Sequence, residues 1–305
     1  GAIFDIDLQQ DNFLGYGNNV GLKASKSSVS TSLQFLLTDP YYTFDGVAKT
    51  ITATVSQTDV SGSSTASYLS DTYAAGIMYD MPVSETATFG IGYDVAITEF
   101  TTTIGSPIIV SHHIADHGKT SMGLTLKTNY ISDTRNRTIF AELGILNSLS
   151  GNVFLGLDGA SHASMTYKTE TNKGYVLKSF GFDWNTVFQL KTTVGIGVGL
   201  GSTTSLPFYN KYFAGGNTTV RGYKGSSLGP LTYNATRGSA TCAAKAVPGK
   251  FMKCDAVGGD FLTAAQFNWV FSPPPFLGED TRAIRTTMFV DVGNVFEKVN
   301  NFDYN

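Results

Sequence analysis

Apolar residues recur at every second position through nearly the whole chain. Clear runs are Leu33, Phe35 and Leu37; Ile51, Ala53 and Val55; Tyr73, Ala75, Ile77, Tyr79 and Met81; and Phe89, Ile91, Tyr93, Val95 and Ile97. The pattern continues through Met122, Leu124 and Leu126; Val153, Leu155 and Leu157; Phe180, Phe182 and Trp184; Val194, Ile196, Val198 and Leu200; and Phe267, Trp269 and Phe271. Near the start the alternation reads Ile3, then Leu8 after a slip, then Val20, Leu22 and Ala24. A period of two places successive side chains on opposite faces of a strand. The intervening positions are Gly, Ser, Thr, Lys, Gln and Asn, which suit a wet interior better than a dry core. The pattern predicts about 12 strands and no amphipathic helix of three turns, hence an all-β, antiparallel up-and-down fold.

The connections differ in length. Those at Phe13-Leu14-Gly15-Tyr16-Gly17, Pro82-Val83-Ser84-Glu85 and Pro273-Pro274-Pro275 read as short turns of one end, and the segments around 99–119 and 201–258 as long loops of the other. A patternless connection as long as 201–258 inside a compact domain is either disordered or functional. No signal peptide is visible and Gly1-Ala2-Ile3-Phe4 already reads as the middle of a strand, so the sequence reads as cut rather than started.

Composition sharpens this picture. The 305 residues hold 33 Gly, 21 Phe and 15 Tyr, and only 15% are charged, a mixture rich in strand formers and poor in the Lys and Glu of soluble surfaces. Mean hydropathy is near zero, and no run of about 18 apolar residues exists, which excludes a helical membrane span. A barrel whose strands are apolar only at alternate positions escapes that test. The formal net charge of −3 gives no support to nucleic-acid binding.

The 201–258 connection carries the candidate chemistry. Arg221 stands in Phe213-Ala214-Gly215-Gly216-Asn217-Thr218-Thr219-Val220-Arg221-Gly222-Tyr223, a cation amid small and apolar residues that needs an acidic partner. Downstream, alternation in Thr286–Gly293 sets Thr287, Phe289, Asp291 and Gly293 on one face and Thr286, Met288, Val290 and Val292 on the other. Asp291 is thus the candidate partner, beside Phe289 and opposite the apolar face. The plainer alternative is a solvated turn Arg and an Asp near a sheet edge. Cys242 and Cys254, the chain's two cysteines, lie in the same connection and read as a disulfide or half of a metal site; no His or further Cys stands nearby to complete a zinc shell.

Other signals are weaker. Gly118-Lys119-Thr120 ends like a phosphate-binding loop, but His113 stands where its first Gly belongs. His112, His113 and His117 read as a solvated loop rather than metal ligands. Asp11, Asp39 and Asp45 read as turn formers because Asn, Pro or Gly follows each. The sequons at Asn136, Asn217 and Asn234 are expected by chance in an Asn/Thr-rich chain. No Ser, His and Asp set is arranged for catalysis, so no enzyme and no cofactor is expected.

With these elements placed, the chain resembles the barrel domain of the BamA-type outer-membrane assembly factors of the bacterial surface antigen superfamily, and more loosely the TamA-type and two-partner secretion barrels. The matching segments are Gln9–Gly15, Thr38–Gly46, Pro207–Gly216, Val220-Arg221-Gly222-Tyr223 and Ala256–Gly259, in family order. The resemblance implies a transmembrane barrel of 16 strands whose sixth extracellular loop, here 201–258, folds into the lumen. Its motif Arg, Arg221, would be held by interior residues matching Phe289 and Asp291. The family's further interior acid falls near Asn268 and reads as missing, leaving Asp291 as the principal counter-ion. The cysteine pair also matches, which implies a Cys242–Cys254 disulfide. Against the family pattern, residues 1–305 read as one partial barrel domain, strands two to thirteen, without the first and last strands that form the lateral seam and without the N-terminal POTRA repeats. The implied function is assembly of other barrel proteins in the bacterial outer membrane, with unfolded barrel clients, accessory lipoproteins reached through the POTRA repeats, and the bilayer as partners. The alternatives are a translocation barrel of the TamA or two-partner secretion type, and a passive porin.

Overall fold

A computed structural model of the chain describes residues 3–59, 68–102, 106–179, 182–232, 255–271 and 285–299. In chain order the strands are β1 (Phe4–Gln10), β2 (Asn19–Lys26), β3 (Ser30–Asp39), β4 (Ala48–Asp59), β5 (Tyr68–Ser84) and β6 (Ala87–Thr102). Helix α1 (Ile108–His117) follows, then β7 (Thr120–Asp133), β8 (Leu143–Gly156), β9 (His162–Ser179) and β10 (Phe182–Gly199). The last are the short β11 (Leu231–Thr232) and β12 (Asp255–Ala256), then β13 (Phe261–Phe271) and β14 (Thr286–Phe296). Twelve strands form one sheet in the order β1 to β10, then β13 and β14, each antiparallel to its neighbour, and β11–β12 form a separate ribbon. This is an up-and-down sheet, as the alternation predicts.

Register explains why one face is apolar throughout. Leu8 pairs with Leu22, Leu22 with Phe35, Phe35 with Ala53, Ala53 with Ala75, Ala75 with Val95, Val95 with Leu124 and Leu124 with Leu155. One unbroken apolar row therefore crosses eight strands on the outer face, where a one-residue slip anywhere would turn a strand's apolar set inward. The slip expected between Ile3 and Leu8 is absent: Phe4, Ile6 and Leu8 alternate evenly opposite Lys26, Ala24 and Leu22.

Because consecutive strands are antiparallel, the connections 11–18 and 85–86 leave from one end and 103–119 and 200–260 from the other, the two ends expected; the turn read at Pro82–Glu85 is shorter, since Pro82 and Ser84 still pair with β6 as the end of β5. Asp39 does form its turn, its Oδ1 accepting the Tyr41 N–H at 3.1 Å. Cys242, Cys254, the Asn234 sequon and the Pro273–Pro275 turn lie outside the described residues. Helix α1 corrects the expectation of a bare loop at 99–119. At ten residues it is just short of three turns; Pro107 precedes its first turn and Gly118, at φ 87°, ends it. Its apolar residues are too few to show a period, yet Val110 is fully buried against Phe100 and Phe208, with Ile109 and Ile114 packed beside them. The sequence after it also disposes of a phosphate loop, since Gly118-Lys119-Thr120 runs from helix into strand.

Candidate functional site

The long connection crosses the polar inner face of the sheet, and β10 is shaped to receive it. In Val194-Gly195-Ile196-Gly197-Val198-Gly199 the Val and Ile side chains alternate with an inward stripe of glycine. A Cβ on Gly195 would lie 2.7 Å from Tyr212 Cε1, and one on Gly197 would overlap Leu206. Backbone and side chains of 203–212 therefore lie flush on the strand. The Tyr212 hydroxyl donates to the Met165 carbonyl at 3.1 Å, and Tyr212 and Gly259 exchange two backbone hydrogen bonds at 2.9 and 3.0 Å.

A buried ion pair fixes this descending segment. Lys211 Nζ lies 3.0 Å from Asp260 Oδ1, with the two side chains 5% and 4% exposed, and the same oxygen accepts the Leu206 N–H at 3.2 Å. Sequence reasoning missed this pair. Lys211 lies within one matching family segment and Asp260 borders another, but nothing local ties a lysine to an aspartate so far along the chain.

Beyond Tyr212 the chain makes a compact excursion. Ala214 bridges Leu228, Gly215 N–H donates to Thr219 Oγ1 at 2.8 Å, and Gly216 N–H donates to the Tyr223 carbonyl at 3.1 Å. Gly215 has φ 109° and a Cβ there would strike the Lys224 carbonyl, so only glycine fits the turn. The excursion presents Arg221 to β13 and β14. Its Nε donates to Asp291 Oδ2 at 2.7 Å and its Nη2 to Asp291 Oδ1 at 2.5 Å, a bidentate pair, while its backbone N–H donates to the same Oδ2 at 2.8 Å. The guanidinium carbon sits 3.8 Å from the centre of the Phe289 ring, a cation–π contact. Asp291 is 3% exposed and Arg221 22%, so the carboxylate depends on this one cation. The bland alternative, Arg221 in solvent, does not describe this geometry.

Of the other candidate residues, Val220 is buried beneath the motif and Gly222, at φ 88°, turns the chain out again. Tyr223 faces away and is exposed. Gly293 meets β13 rather than the loop, where a Cβ would lie 2.8 Å from Ala264 Cα. The family's further acid is indeed absent at Asn268, and Asp291 carries the charge alone, but the position still serves the site: Asn268 Oδ1 accepts from Arg221 Nη2 at 2.6 Å. A neutral amide thus satisfies the guanidinium where an acid was sought. Its own Nδ2 donates to Gln189 Oε1 at 3.1 Å, and Gln189 Nε2 donates to Asn172 Oδ1 and Glu170 Oε1 at 2.9 and 3.2 Å. Glu170 is met by Arg135 and Lys191, each at 3.5 Å. A polar ribbon thus continues from the loop tip across β13, β10 and β9. The loop leaves space beside it, a cavity of about 640 Å³ lined in part by Thr166, Glu170, Lys191, Tyr212 and Gln266.

At the entry of the loop the histidines depart from the solvated reading. His112 is exposed, but His113 lies 5.2 Å from the Phe208 ring and 5.6 Å from Tyr209. Burial lowers the His113 pKa below its ordinary value and pushes the Tyr209 phenol up to about 12. Among the described residues no three His, Cys, Asp or Glu side chains gather to hold a metal ion.

Comparison with known proteins gives this geometry its context. The family model for the Omp85 superfamily domain matches residues 12–304. The outer membrane protein assembly factor BamA of Neisseria meningitidis serogroup B (strain MC58) is 26% identical over 307 residues, covering 97% of this chain and 36% of that protein. The chain therefore spans about a third of that relative's length. Among solved structures, BamA from Haemophilus ducreyi lacking POTRA domains 1–3 aligns with TM-score 0.81 at 23% identity, over 97% of this chain and 55% of its own. CdiB from Acinetobacter baumannii aligns with TM-score 0.50 at 10% identity, over 95% and 46%.

Proposed function

This chain belongs to the Omp85 superfamily, whose members are outer-membrane proteins, and from that premise we propose that it is the barrel of an assembly factor that folds and inserts other β-barrel proteins. In the complete protein the twelve-strand sheet closes as strands two to thirteen of a 16-stranded barrel. Unfolded barrel proteins are its clients, accessory lipoproteins its partners through POTRA repeats, and a Cys242–Cys254 disulfide ties the outer part of the loop. No covalent step is needed. An unpaired strand edge templates an incoming strand by backbone hydrogen bonding, while the body of the barrel must hold its shape. The observation that supports this reading best is the loop seated on the inner face by Arg221 and Asp291: a rigid internal brace is what an edge that opens repeatedly requires. Strand lengths support it further. The described β2 has 8 residues and β3 has 10, against 18 in β9 and β10. Beside β2 the bilayer has less apolar height to match and thins locally.

The CdiB likeness in fold favours a second reading, a barrel that passes its client through the lumen. Reconstituted complete protein separates the two. Urea-unfolded barrel client added to proteoliposomes should become heat-modifiable and membrane-embedded several-fold faster than with empty vesicles; client recovered inside the vesicles in soluble, protease-protected form would establish translocation instead.

The outward face makes a simpler prediction. Val290, mid-strand on β14, is 63% exposed between Met288 and Val292, so in the membrane it faces lipid. Val290→Arg is expected to destabilise the folded complete protein by about 2–4 kcal/mol if it lies near the bilayer midplane, read from reversible unfolding in vesicles. The inward neighbour substitution Thr287→Arg should cost far less.

A further inference from the structure

The chain has four histidines, and three of them meet where the long connection turns inward. Tyr209, in the 3-10 turn Phe208–Asn210 near the start of the infolded segment, has its ring centre 5.6 Å from that of His113 and 6.3 Å from that of His162. His113 is also 4.9 Å from His117 on the same helix, and Tyr209 stacks on Phe100 at 4.8 Å. Helix α1 contributes two of the histidines, β9 the third, and the loop root the tyrosine between them.

The hydrogen bonds of His162 suit a neutral ring. His162 Nε2 lies 2.6 Å from Asn210 Nδ2, and its Nδ1 lies 3.2 Å from the Ala160 carbonyl. One nitrogen accepts and the other donates, which completes a neutral imidazole. A second proton would set an N–H against an amide N–H, and the Asn210 amide would have to turn over to receive it. His117 Nδ1 lies 3.2 Å from the Asp158 carbonyl in the β8–β9 turn, which pins α1 to that turn.

We propose that the cluster forms an acid-responsive latch: with His113 neutral, α1 is locked onto the loop root at Phe208–Asn210, and protonation of His113 frees the helix and loosens the root. The charged groups around His113 are His117 and Asp116 of α1, Asp158 of the β8–β9 turn and His162 of β9; the neutral Tyr209 comes from the loop itself. Asp158 and Asp116 favour a proton on His113, but burial opposes it most strongly and the two other imidazoles add to that. The sign follows. A histidine with its pKa lowered in the latched state holds the latch fully above its ordinary pKa, about 6.5, and releases it as pH falls below that value. The latch operates whether the barrel inserts or translocates its clients.

Hydrogen exchange of the complete protein in lipid nanodiscs at pH 7.5 and pH 5.0, corrected for intrinsic rates, tests it. Peptides covering 106–119 and 203–212 are expected to lose protection at pH 5.0, about tenfold for each unit separating the latched and released pKa values, while β6 and β9 hold theirs. His113→Phe, which fills the aromatic cage without titrating, should abolish most of that loss, and His113→Gln serves if Phe does not fold. Equal protection at the two pH values, an unchanged loss in the His113 variants, or a loss shared by the strands would overturn the latch. So would a His113 resonance titrating at or above 6.5 in histidine-labelled protein.

Discussion

Replacing Arg221 with Ala in the complete protein is expected to release the loop from β13 and β14, seen as new protease cuts within 213–228 and a large loss of stability. The magnitude follows from what remains. Asp291 is 3% exposed and would keep only neutral donors, the residue-221 N–H and the Gln266 side chain, while losing both guanidinium bonds. A buried charge stripped of its partner costs about 3–5 kcal/mol. Asp291→Ala should be equally severe, because it strands the guanidinium and unpairs that backbone N–H together. The double variant should be little worse than either single one, since the charge whose burial is penalised has gone. Arg221→Lys should recover only part of the loss: a lysine cannot make the fork to both carboxylate oxygens, reach Asn268 and lie over Phe289 at once. Additive single effects in a double-mutant cycle would show that Arg221 and Asp291 act independently and end the idea of a brace.

The Lys211–Asp260 pair should prove as sensitive, with a different rescue. Asp260→Ala leaves a lysine ammonium 5% exposed and the Leu206 N–H unpaired, and is expected to cost about 3–5 kcal/mol. Combining Lys211→Met with Asp260→Asn removes both charges but keeps an oxygen for Leu206, and should restore most of the stability, as neutral replacement of buried pairs often does. Thermal unfolding of the parent, Asp260→Ala and the double variant in one detergent measures this. A double variant as unstable as Asp260→Ala would mean that the charges themselves, not the stranded groups, decide the matter.

What the sequence disclosed followed the range over which each pattern acts. Alternation is local, so the sheet, its outward apolar rows and the inward aim of Asp291 could be read from neighbours in the chain. Arg221 was conspicuous because a lone guanidinium among Gly, Thr and Val needs a partner, and the strand face offered one. The missing acid at Asn268 and the reliance on Asp291 were legible, but the part Asn268 plays was not, because a neutral amide oxygen that completes a guanidinium carries no charge to announce it. Lys211 and Asp260 were invisible since their pairing depends on the loop lying along β10, a contact 49 residues apart with no periodicity to announce it. Helix α1 and the histidines were hidden for a related reason. A helix of under three turns shows little period, and His113 is sheltered by Phe208 and Tyr209 from a distant segment rather than by its own neighbours.

The glycine stripe of β10 has a consequence for how the loop finds its depth. A groove that repeats every second residue looks the same after a shift of two positions, so a side chain that seats over Gly195 meets much the same surface over Gly197, about 7 Å away along the strand. Like a ratchet with identical teeth, it sets the loop's alignment across the strand but not its position along it. Only features that occur once can choose the tooth, and two of those among the described residues are charged: Asp260 near the top of the slide and Asp291 below it. A loop that loses either is therefore expected to do more than loosen. It can settle one notch out of place, packed well enough to persist, with its tip held away from the wall it was meant to brace.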